Sequence, residues 1–408
     1  LREALWVGCG MPLGERLWSV PTPGTAFVWA DDLPDYDFGP GHPMAPIRMV
    51  LTRDLVRALD LPGVQEIDVA TVDDATLALV HSPAFISSVR AGALGVVNEA
   101  RGIGTIDNPL FPEMHGAARR IVGSTLAAVN WVWQGHGSRA VSIAGGMHHA
   151  MPDKVSGFCV YNDCAVAIAS LLEQGAQRVL YIDLDAHHGD GVEKAFWDDP
   201  RVLTVSIHES GTTLFPGTGF AQDIGGPNAR GYAVNLPLPA RTRGDAWLRA
   251  FDAVVPQLVA EFNPDIMVSQ HGADAHGNDQ LTNLRVSVDH QLAAARMVRE
   301  LATEHAGGRW VATGGGGYTV VEVVPRVWAG LVALSAGLEP DLSSRLPLSW
   351  QRDVEQRLHL PAPEFWGDGI GVQLRPFSAG YDPADDVDRA ILATRAAIYP
   401  LHGLDPAW

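Results

Sequence analysis

Cysteine is scarce in this chain. Only three occur among 408 residues, namely Cys9, Cys159 and Cys164. So few cysteines at these spacings form neither a disulfide framework nor a cysteine-based zinc site. Any bound metal would therefore need histidine and carboxylate ligands.

Basic residues are also few. The sequence has 29 lysines and arginines against 47 aspartates and glutamates, which gives a formal net charge of −18. Binding to a phosphate backbone requires clustered lysine and arginine. The charge balance therefore argues against a nucleic-acid partner.

Long apolar runs are missing as well, since none approaches the roughly 20 residues of a membrane span. The first residues lack the basic-then-apolar order of a secretory signal. We therefore expect a cytoplasmic protein with no membrane partner. We also expect residues 1–20 to be a poorly ordered extension and residues 21–400 to form a single domain, because a hydrophobic content of 47% allows a large core.

Short apolar runs recur along the chain, and each is followed by polar or glycine-rich residues and then by a helical pattern. These runs cover residues 140–144, 179–182, 202–207, 265–269 and 310–313. The alternation predicts an α/β fold with a mostly parallel central sheet and helices on both faces. The predicted helices cover residues 113–134, 162–174, 245–261, 289–304 and 383–397, the last with Asp382 as its N-cap.

Polar clusters follow each of the five apolar runs. In open α/β sheets, ligands bind outside the carboxyl ends of the strands. Because all five clusters would lie at such ends, we expect them to share one rim. The clusters are residues 145–149, 183–190, 208, 270–274 and 314–318.

The segment 183–190 contains three carboxylates and two imidazoles. Alternate residues of an extended chain point the same way, so Asp185 and His187 can face one ion. Carboxylate and imidazole ligands suit zinc or iron(II), and Asp274 would be the third ligand. The alternatives are a solvated loop of mutually paired side chains and, for Asp274, a helix cap.

His148 and His149 follow a Gly-Gly turn, where a ligand can approach the backbone closely. Histidine titrates near neutral pH, so the pair suggests general acid and base chemistry. Asp183 and Asp190 are available to orient the two rings. A hydrogen-bonded structural pair of core histidines is the alternative.

Four glycines precede Tyr318. The run could be a flexible turn or a phosphate cradle, but it lacks the lysine of a P-loop. We interpret Tyr318 as a donor to a developing oxyanion. Phe158 and Phe215 could line an apolar tunnel or belong to the core, and Arg48 is either a buried cation or half of a surface salt bridge.

Taken in order, these motifs resemble those of the zinc-dependent histone deacetylase superfamily, which has an arginase/deacetylase-like fold. Within it, the chain is most similar to the bacterial acetoin-utilisation (AcuC-like) deacetylases. The matching motifs are residues 42–48, 146–149, 156–159, 161–163, 183–192, 215–219, 272–274 and 314–318. The resemblance implies a motif core over residues 26–335, which leaves residues 336–400 as a C-terminal segment that wraps the sheet.

The resemblance implies hydrolysis of an acetylated lysine-type amine to acetate and free amine. It implies that Asp185, His187 and Asp274 bind zinc, or iron(II) in its place. His149 would be the base and then the acid, and His148 would orient and stabilise the reacting groups. The remaining implied roles are support of His148 by Asp183 and of His149 by Asp190, oxyanion stabilisation by Tyr318, substrate binding by Asp107, Gly157, Phe158, Phe215 and Leu281, and potassium binding by Asp183, Asp185, His187, Ser206 and Ile207.

Two positions depart from the family pattern. His271 occupies a usually apolar position, so we expect a further imidazole near the metal that alters its electrostatics. Leu281 stands where acetylpolyamine-selective members have an acidic residue, which favours acetyl-lysine in a protein as the substrate. The alternatives are a deacetylase of small acetylated amines such as acetylpolyamines, a two-metal ureohydrolase of the arginase type and a catalytically silent binding protein. The branch also suggests control of an acetylated metabolic enzyme in acetoin catabolism.

Overall fold

The structure is a computed structural model that describes residues 24–407. The extension expected at residues 1–20 lies outside the described residues. Over the described part of the chain, eight strands form one parallel sheet in the order β2-β1-β3-β8-β7-β4-β5-β6. The strands are β1 (Thr25–Val28), β2 (Val64–Ile67), β3 (Arg139–Ser142), β4 (Val179–Asp183), β5 (Val202–Glu209), β6 (Ala233–Leu238), β7 (Ile266–Gln270) and β8 (Trp310–Thr313).

The five predicted strands are confirmed, and they are neighbours in the sheet. In the order β3-β8-β7-β4-β5 they form its centre. Every residue of these five strands is buried, as expected for parallel strands that are covered on both faces. Their carboxyl ends therefore lie side by side, and the polar clusters that follow them share one rim as predicted.

Eleven α-helices accompany the sheet within residues 24–407. Four of the five predicted helices are confirmed to within one residue at each end, and Asn162 is the N-cap of the helix at 163–173, where its side chain accepts the N–H of Ala165 at 2.9 Å. The helices are α1 (Ile47–Leu59), α2 (Asp74–Leu77), α3 (Pro83–Ala93), α4 (Met114–Trp133), α5 (Asp163–Glu173), α6 (Asp190–Phe196), α7 (Gly244–Phe262), α8 (Val288–His305), α9 (Val324–Ser335), α10 (Leu348–Leu358) and α11 (Asp386–Ile398).

The predicted start of the last helix is wrong. α11 begins three residues later than expected, and Asp385 is its N-cap, with its carboxylate accepting the N–H of Val387 at 2.8 Å. Asp382 instead accepts the N–H of Ala384 at 2.9 Å. Asp382 and Pro383 therefore form a turn ahead of the helix.

The helices pack in two groups. α4 contacts β1, β3 and β8, and it also contacts α3 and α5. α9 contacts β3 as well, and through α8 and α7 it is linked to α11. α4 and α9 thus cover the two faces of β3, and the sheet lies between two helical layers. Within residues 24–407, no helix is both long enough and apolar enough to cross a membrane.

Candidate active site

A buried group of possible metal ligands lies at the carboxyl edge of β4 and β7. One ligand atom from each of Asp185, His187 and Asp274 lies within 4.8 Å of the others. The Nδ1 atom of His187 is 3.0 Å from Asp185 Oδ1 and 3.0 Å from Asp274 Oδ2. Two carboxylates and one imidazole that converge in a buried position are a donor set that fits zinc or iron(II).

The negative charges of Asp185 and Asp274 favour the binding of a cation. Burial disfavours a charged His187, but hydrogen bonds to Asp185 and Asp274 outweigh burial and raise the pKa of His187 to about 10. Burial and the adjacent Asp185 raise the pKa of Asp274 above the ordinary carboxyl range. Without a metal, protons therefore take the place of the cation, and metal binding must displace them.

Several groups hold the two carboxylates in place. The side-chain amide of Gln270 donates to Asp185 Oδ2 at 2.7 Å, and the backbone N–H of Gly316 donates to the same oxygen at 2.8 Å. The N–H of Ala186 donates to Asp274 Oδ1 at 2.9 Å. A Cβ atom at position 316 would lie 2.1 Å from Asp274 Oδ2. The glycine run is therefore needed for its close approach to the ligands, a role that the sequence did not indicate.

The two adjacent histidines each pair with the carboxylate that the resemblance implied. His148 Nδ1 lies 2.8 Å from Asp183 Oδ2, and His149 Nδ1 lies 2.7 Å from Asp190 Oδ1. All four side chains are buried. Because each Nδ1–H donates to a carboxylate, the Nε2 atom of each ring is left for chemistry.

The two imidazoles nevertheless have opposite pKa shifts. Burial lowers the pKa of both rings, but the charges of Asp183 and Asp185 outweigh burial at His148 and raise its pKa to about 9. At His149, burial and the neighbouring His148 outweigh Asp190, and its pKa falls to about 4. At neutral pH, His148 is therefore a cation and His149 a neutral proton acceptor.

The carboxylate of Asp163 fixes the turn that carries these histidines. Its carboxylate accepts the N–H of Met147 at 2.7 Å and the N–H of Gly146 at 2.9 Å. Gly146 has φ +99°, and a Cβ atom there would lie 2.3 Å from the carbonyl oxygen of Gly314. From the sequence, Asp163 was part of a motif without a role in the site, because its partners are distant in sequence.

A cavity of about 230 Å³ leads from the surface to the metal-ligand group. Phe158 and Phe215 form its apolar walls, and His149 and His187 lie at its inner end. All five residues predicted to bind substrate therefore line one cavity together with Tyr318. They are Asp107, Gly157, Phe158, Phe215 and Leu281.

Phe158 is held in an unusual backbone conformation. Its φ is +66°, in the left-handed region that side chains rarely adopt. Asn108 Oδ1 accepts its N–H at 2.9 Å, and the Tyr36 hydroxyl donates to its carbonyl at 2.7 Å. Tyr36 and Asn108 were missed from the sequence, although Asn108 directly follows the predicted rim residue Asp107.

Tyr318 lies in the wall of this cavity. Its backbone N–H donates to Asp279 Oδ2 at 2.8 Å, and Asp279 Oδ1 accepts the N–H of Leu281 at 3.0 Å. Burial raises the pKa of the Tyr318 phenol well above its ordinary value. The phenol is therefore neutral at neutral pH and can donate its hydrogen. Asp279, which joins Tyr318 to Leu281, was also missed from the sequence.

Arg48 is a buried cation rather than half of a surface salt bridge. It is 3% exposed, and its Nε atom has no hydrogen-bond partner among the described residues. Its guanidinium lies 5.1 Å from the ring centre of Trp328 and 6.0 Å from that of Tyr318, and it donates to the carbonyl of Gly317 at 3.0 Å. Arg48 therefore stabilises the turn behind Tyr318.

The expected potassium ligands share Asp185 and His187 with the metal-ligand group. Asp183 on β4 is in register with Ser206 on β5, and both are buried. Ile207 follows Ser206 on the same strand, and Asp185 and His187 follow Asp183 along the chain. The hydroxyl of Ser206 also lies 2.8 Å from His208 Nδ1.

The expected position of the His271 ring beside the metal ligands is not what the structure shows. Its Nε2 atom is hydrogen-bonded to Ser269 Oγ at 2.8 Å, and its ring lies against Trp310. The preceding Gln270 faces Asp185 instead. Neighbouring side chains of a strand point to opposite faces, so His271 is directed away from the metal ligands.

The comparisons with known proteins agree with this geometry. Residues 42–334 match the family model described as the histone deacetylase domain. A relative from Bacillus subtilis (strain 168), named acetoin utilization protein AcuC, is 39% identical over 351 residues, which cover 84% of this chain and 90% of the relative. Proteins of the same name from Staphylococcus xylosus and Staphylococcus aureus (strain MRSA252) are each 35% identical over 84% and 85% of this chain, and over 90% of their own lengths. The resemblance seen in the motifs is thus confirmed: the chain belongs to the histone deacetylase family as an AcuC-like member, and it is a metal-dependent deacetylase that hydrolyses an acetylated substrate.

Proposed function

We propose that this deacetylase removes acetyl groups from lysine side chains of proteins and releases acetate, with zinc as its metal. The observation that carries the proposal is the cavity of about 230 Å³, whose apolar walls lead to the buried group of Asp185, His187 and Asp274. The four methylene groups of a lysine side chain suit such walls, because apolar surface is favoured against aromatic rings. The acetyl group would then lie beside His149.

Two features of the mouth favour a protein over a small amine. Leu281 is apolar, and Asp107 is the one carboxylate among the described residues that line the cavity. A second ammonium group of a polyamine would therefore find little compensating charge inside. Beside Asp107, Ile106 is 93% exposed, and an apolar surface at the mouth suits contact with a polypeptide.

The proposed roles follow from the hydrogen bonds and charges of the site. Bound by Asp185, His187 and Asp274, zinc would polarise the amide carbonyl and lower the pKa of a water molecule. The neutral Nε2 of His149 would accept the proton of the attacking water and later pass it to the leaving amine. Further contributions are orientation of the histidines by Asp183 and Asp190, a positive charge from His148 and a hydrogen bond from Tyr318 to the oxyanion.

We also propose a monovalent cation, potassium, bound by Asp183, Asp185, His187, Ser206 and Ile207. The proposal is supported by the number of carboxylates that are buried near one another in this part of the molecule. Burying several like charges is unfavourable unless cations compensate them. One divalent ion and a protonated His148 would not balance all of these negative charges, so a further positive charge can be bound.

The proposed domain organisation is one domain over residues 21–400, with a motif core at 26–335 and a wrapping segment at 336–400. Contacts between the last segment and the core support it. Trp350 Nε1 donates to the carbonyl of Leu51 at 3.0 Å, and Arg249 forms a buried ion pair with Asp388 at 2.7 Å. The name of the AcuC relatives, acetoin utilization protein, further suggests that the acetylated partner is a metabolic enzyme connected with acetoin use.

The deciding experiment compares acetate release by the zinc-loaded protein from acetyl-lysine peptides and from acetylpolyamines. We expect kcat/KM to be higher for the peptides. We further expect Leu281→Glu to shift the preference towards acetylpolyamines, with Leu281→Met as an apolar control that does not. Higher kcat/KM of the wild type on acetylpolyamines would favour a small-amine deacetylase, and urea release from arginine would contradict the proposal.

A further inference from the structure

A second, small cavity lies behind the segment 270–274, on the side away from the metal ligands. It offers about 10 Å³ to the centre of a water-sized sphere. The cavity is therefore large enough to hold a water molecule. Most of its lining is apolar, but Trp247 of α7, Gln291 of α8 and His271 contribute polar groups.

Two of these polar groups have no partner. The indole Nε1 of Trp247 and the side-chain Oε1 of Gln291 form no hydrogen bond with any described residue. Both side chains are almost fully buried, with exposures of 1% and 6%. An unpaired buried donor and an unpaired buried acceptor are both unfavourable, and native proteins satisfy such groups with ordered water.

The hydrogen bonds around His271 identify a third partner. Trp310 Nε1–H donates to Ser269 Oγ at 2.7 Å, and the same hydroxyl lies 2.8 Å from His271 Nε2. With the Ser269 hydroxyl as donor to Nε2, the proton of the neutral ring is on Nδ1. His271 lines the cavity, so this Nδ1–H can donate to a group inside it.

We propose that this cavity binds one water molecule, which accepts hydrogen bonds from Trp247 Nε1–H and His271 Nδ1–H and donates one to Gln291 Oε1. A water molecule offers two donors and two acceptors, so it satisfies all three groups. A cation would face two donors, and an anion would face the Gln291 oxygen without any compensating charge. Neutral water is the ligand whose chemistry fits.

The bound water connects the segment 270–274 to the helices α7 and α8. His271 is followed by Gly272, whose N–H donates at 2.8 Å to Gln270 Oε1, and Gln270 in turn donates to the ligand Asp185. Gln291 Nε2 also reaches the carbonyl of Ala273 at 3.4 Å, next to the ligand Asp274. The positioning residues are therefore Trp247, Gln291 and His271. They hold the segment 270–274, which contains the ligand Asp274 and contacts the ligand Asp185.

The first test is a high-resolution structure of the wild-type protein. We expect an ordered water molecule within hydrogen-bond distance of Trp247 Nε1, Gln291 Oε1 and His271 Nδ1, and we expect its loss in Gln291→Met. An empty cavity in the wild type would overturn the proposal. This test depends neither on which metal the protein uses nor on its substrate.

The second test is the rate at which zinc-loaded protein loses its metal to a chelator. Groups behind the ligands typically change metal affinity by about 10–100-fold. We therefore expect Gln291→Met and Trp247→Phe to lose zinc about 10–100 times faster than the wild type. Trp350→Phe is the matched control, because it also removes a buried indole hydrogen bond but lies outside the cavity.

The control separates positioning from general destabilisation. Trp350→Phe should lower the melting temperature while it retains zinc as the wild type does. Zinc loss from Gln291→Met and Trp247→Phe at the rate of Trp350→Phe would refute the positioning role. If Trp247→Phe does not fold, Gln291→Met and the wild-type structure still decide the question.

Discussion

Gly157→Ala is the most informative change to the proposed site, because it adds a single carbon atom beside His149. The new Cβ atom would lie 2.4 Å from His149 Cδ2 and 2.8 Å from Cγ. Ordinary contact begins near 3.4 Å, so the ring must move by about 1 Å. His149 has little room to move, because it is bound to Asp190 at 2.7 Å and lies 4.0 Å from the ring of His148.

Two effects set the expected magnitude. A misplacement of about 1 Å in a reacting group can lower the rate by about 10²-fold. Overpacking in a filled interior costs about 1–3 kcal/mol of unfolding free energy. An alanine at the positive φ of Gly157 costs roughly a further 1–2 kcal/mol, independently of His149.

Gly307→Ala is the control for the backbone contribution. Gly307 has φ +59°, close to the +52° of Gly157, and a Cβ atom there would contact nothing within 4 Å. Both variants should be measured for kcat, for zinc content and for melting temperature. We expect a moderate loss of stability in both, and a loss of kcat of about 10²-fold in Gly157→Ala alone.

The outcome bears directly on the proposed role of His149. If Gly157→Ala and Gly307→Ala bound zinc fully and had the same kcat, the position of the His149 ring would not matter for turnover. The assignment of His149 as the group that moves protons would then be wrong. A loss of zinc in Gly157→Ala would instead show that the displacement reaches His187.

Three further predictions concern proton transfer and charge. Tyr318→Phe should lower kcat by roughly 10²–10³-fold, the effect of losing one oxyanion donor, and near-normal turnover in steady-state kinetics would remove the phenol from this role. Asp190→Asn should lower the pKa of His149 further, since Asp190 raises it. The acid limb of the pH profile of kcat/KM should therefore move to lower pH, and the plateau should fall by about 10²–10⁴-fold. An unchanged pH profile would contradict the pairing of Asp190 with His149. Because the pKa of metal-free His187 is raised to about 10, zinc binding at pH 7 should release a proton and should weaken as the pH falls. Calorimetry in buffers of different ionisation enthalpy measures that release, and its absence would show that His187 is already deprotonated.

The success of the strand predictions depended on burial. The central strands are covered on both faces, so their sequences are short apolar runs that stand out from their surroundings. β2 and β6 lie at the edges of the sheet, and β2 is partly exposed while β6 contains Pro237. Such strands lack a continuous apolar run and were not predicted, and β1 (Thr25–Val28) was not predicted either.

The error at the last helix shows a limit of local signals. Asp382 and Asp385 are equally good caps when only their neighbours are considered. The carboxylate of Asp388 accepts the N–H of Asp382 at 2.8 Å and also pairs with Arg249 of α7. A long-range contact therefore fixes the turn, and the helix begins after it.

The sequence by itself determined the kinds of groups in the site and the edge of the sheet at which they lie. The residue types of 183–190, the glycine turns and the alternation of strands with helices are all local information. The tertiary structure decided which groups meet. Asp274 joins Asp185 only because β7 lies beside β4, and Gln270 faces Asp185 while His271 points away, towards the second, small cavity. The tertiary structure also made the pKa values of His148 and His149 differ. Their opposite pKa shifts depend on burial and on the charges around each ring, which the chain brings together only when it is folded.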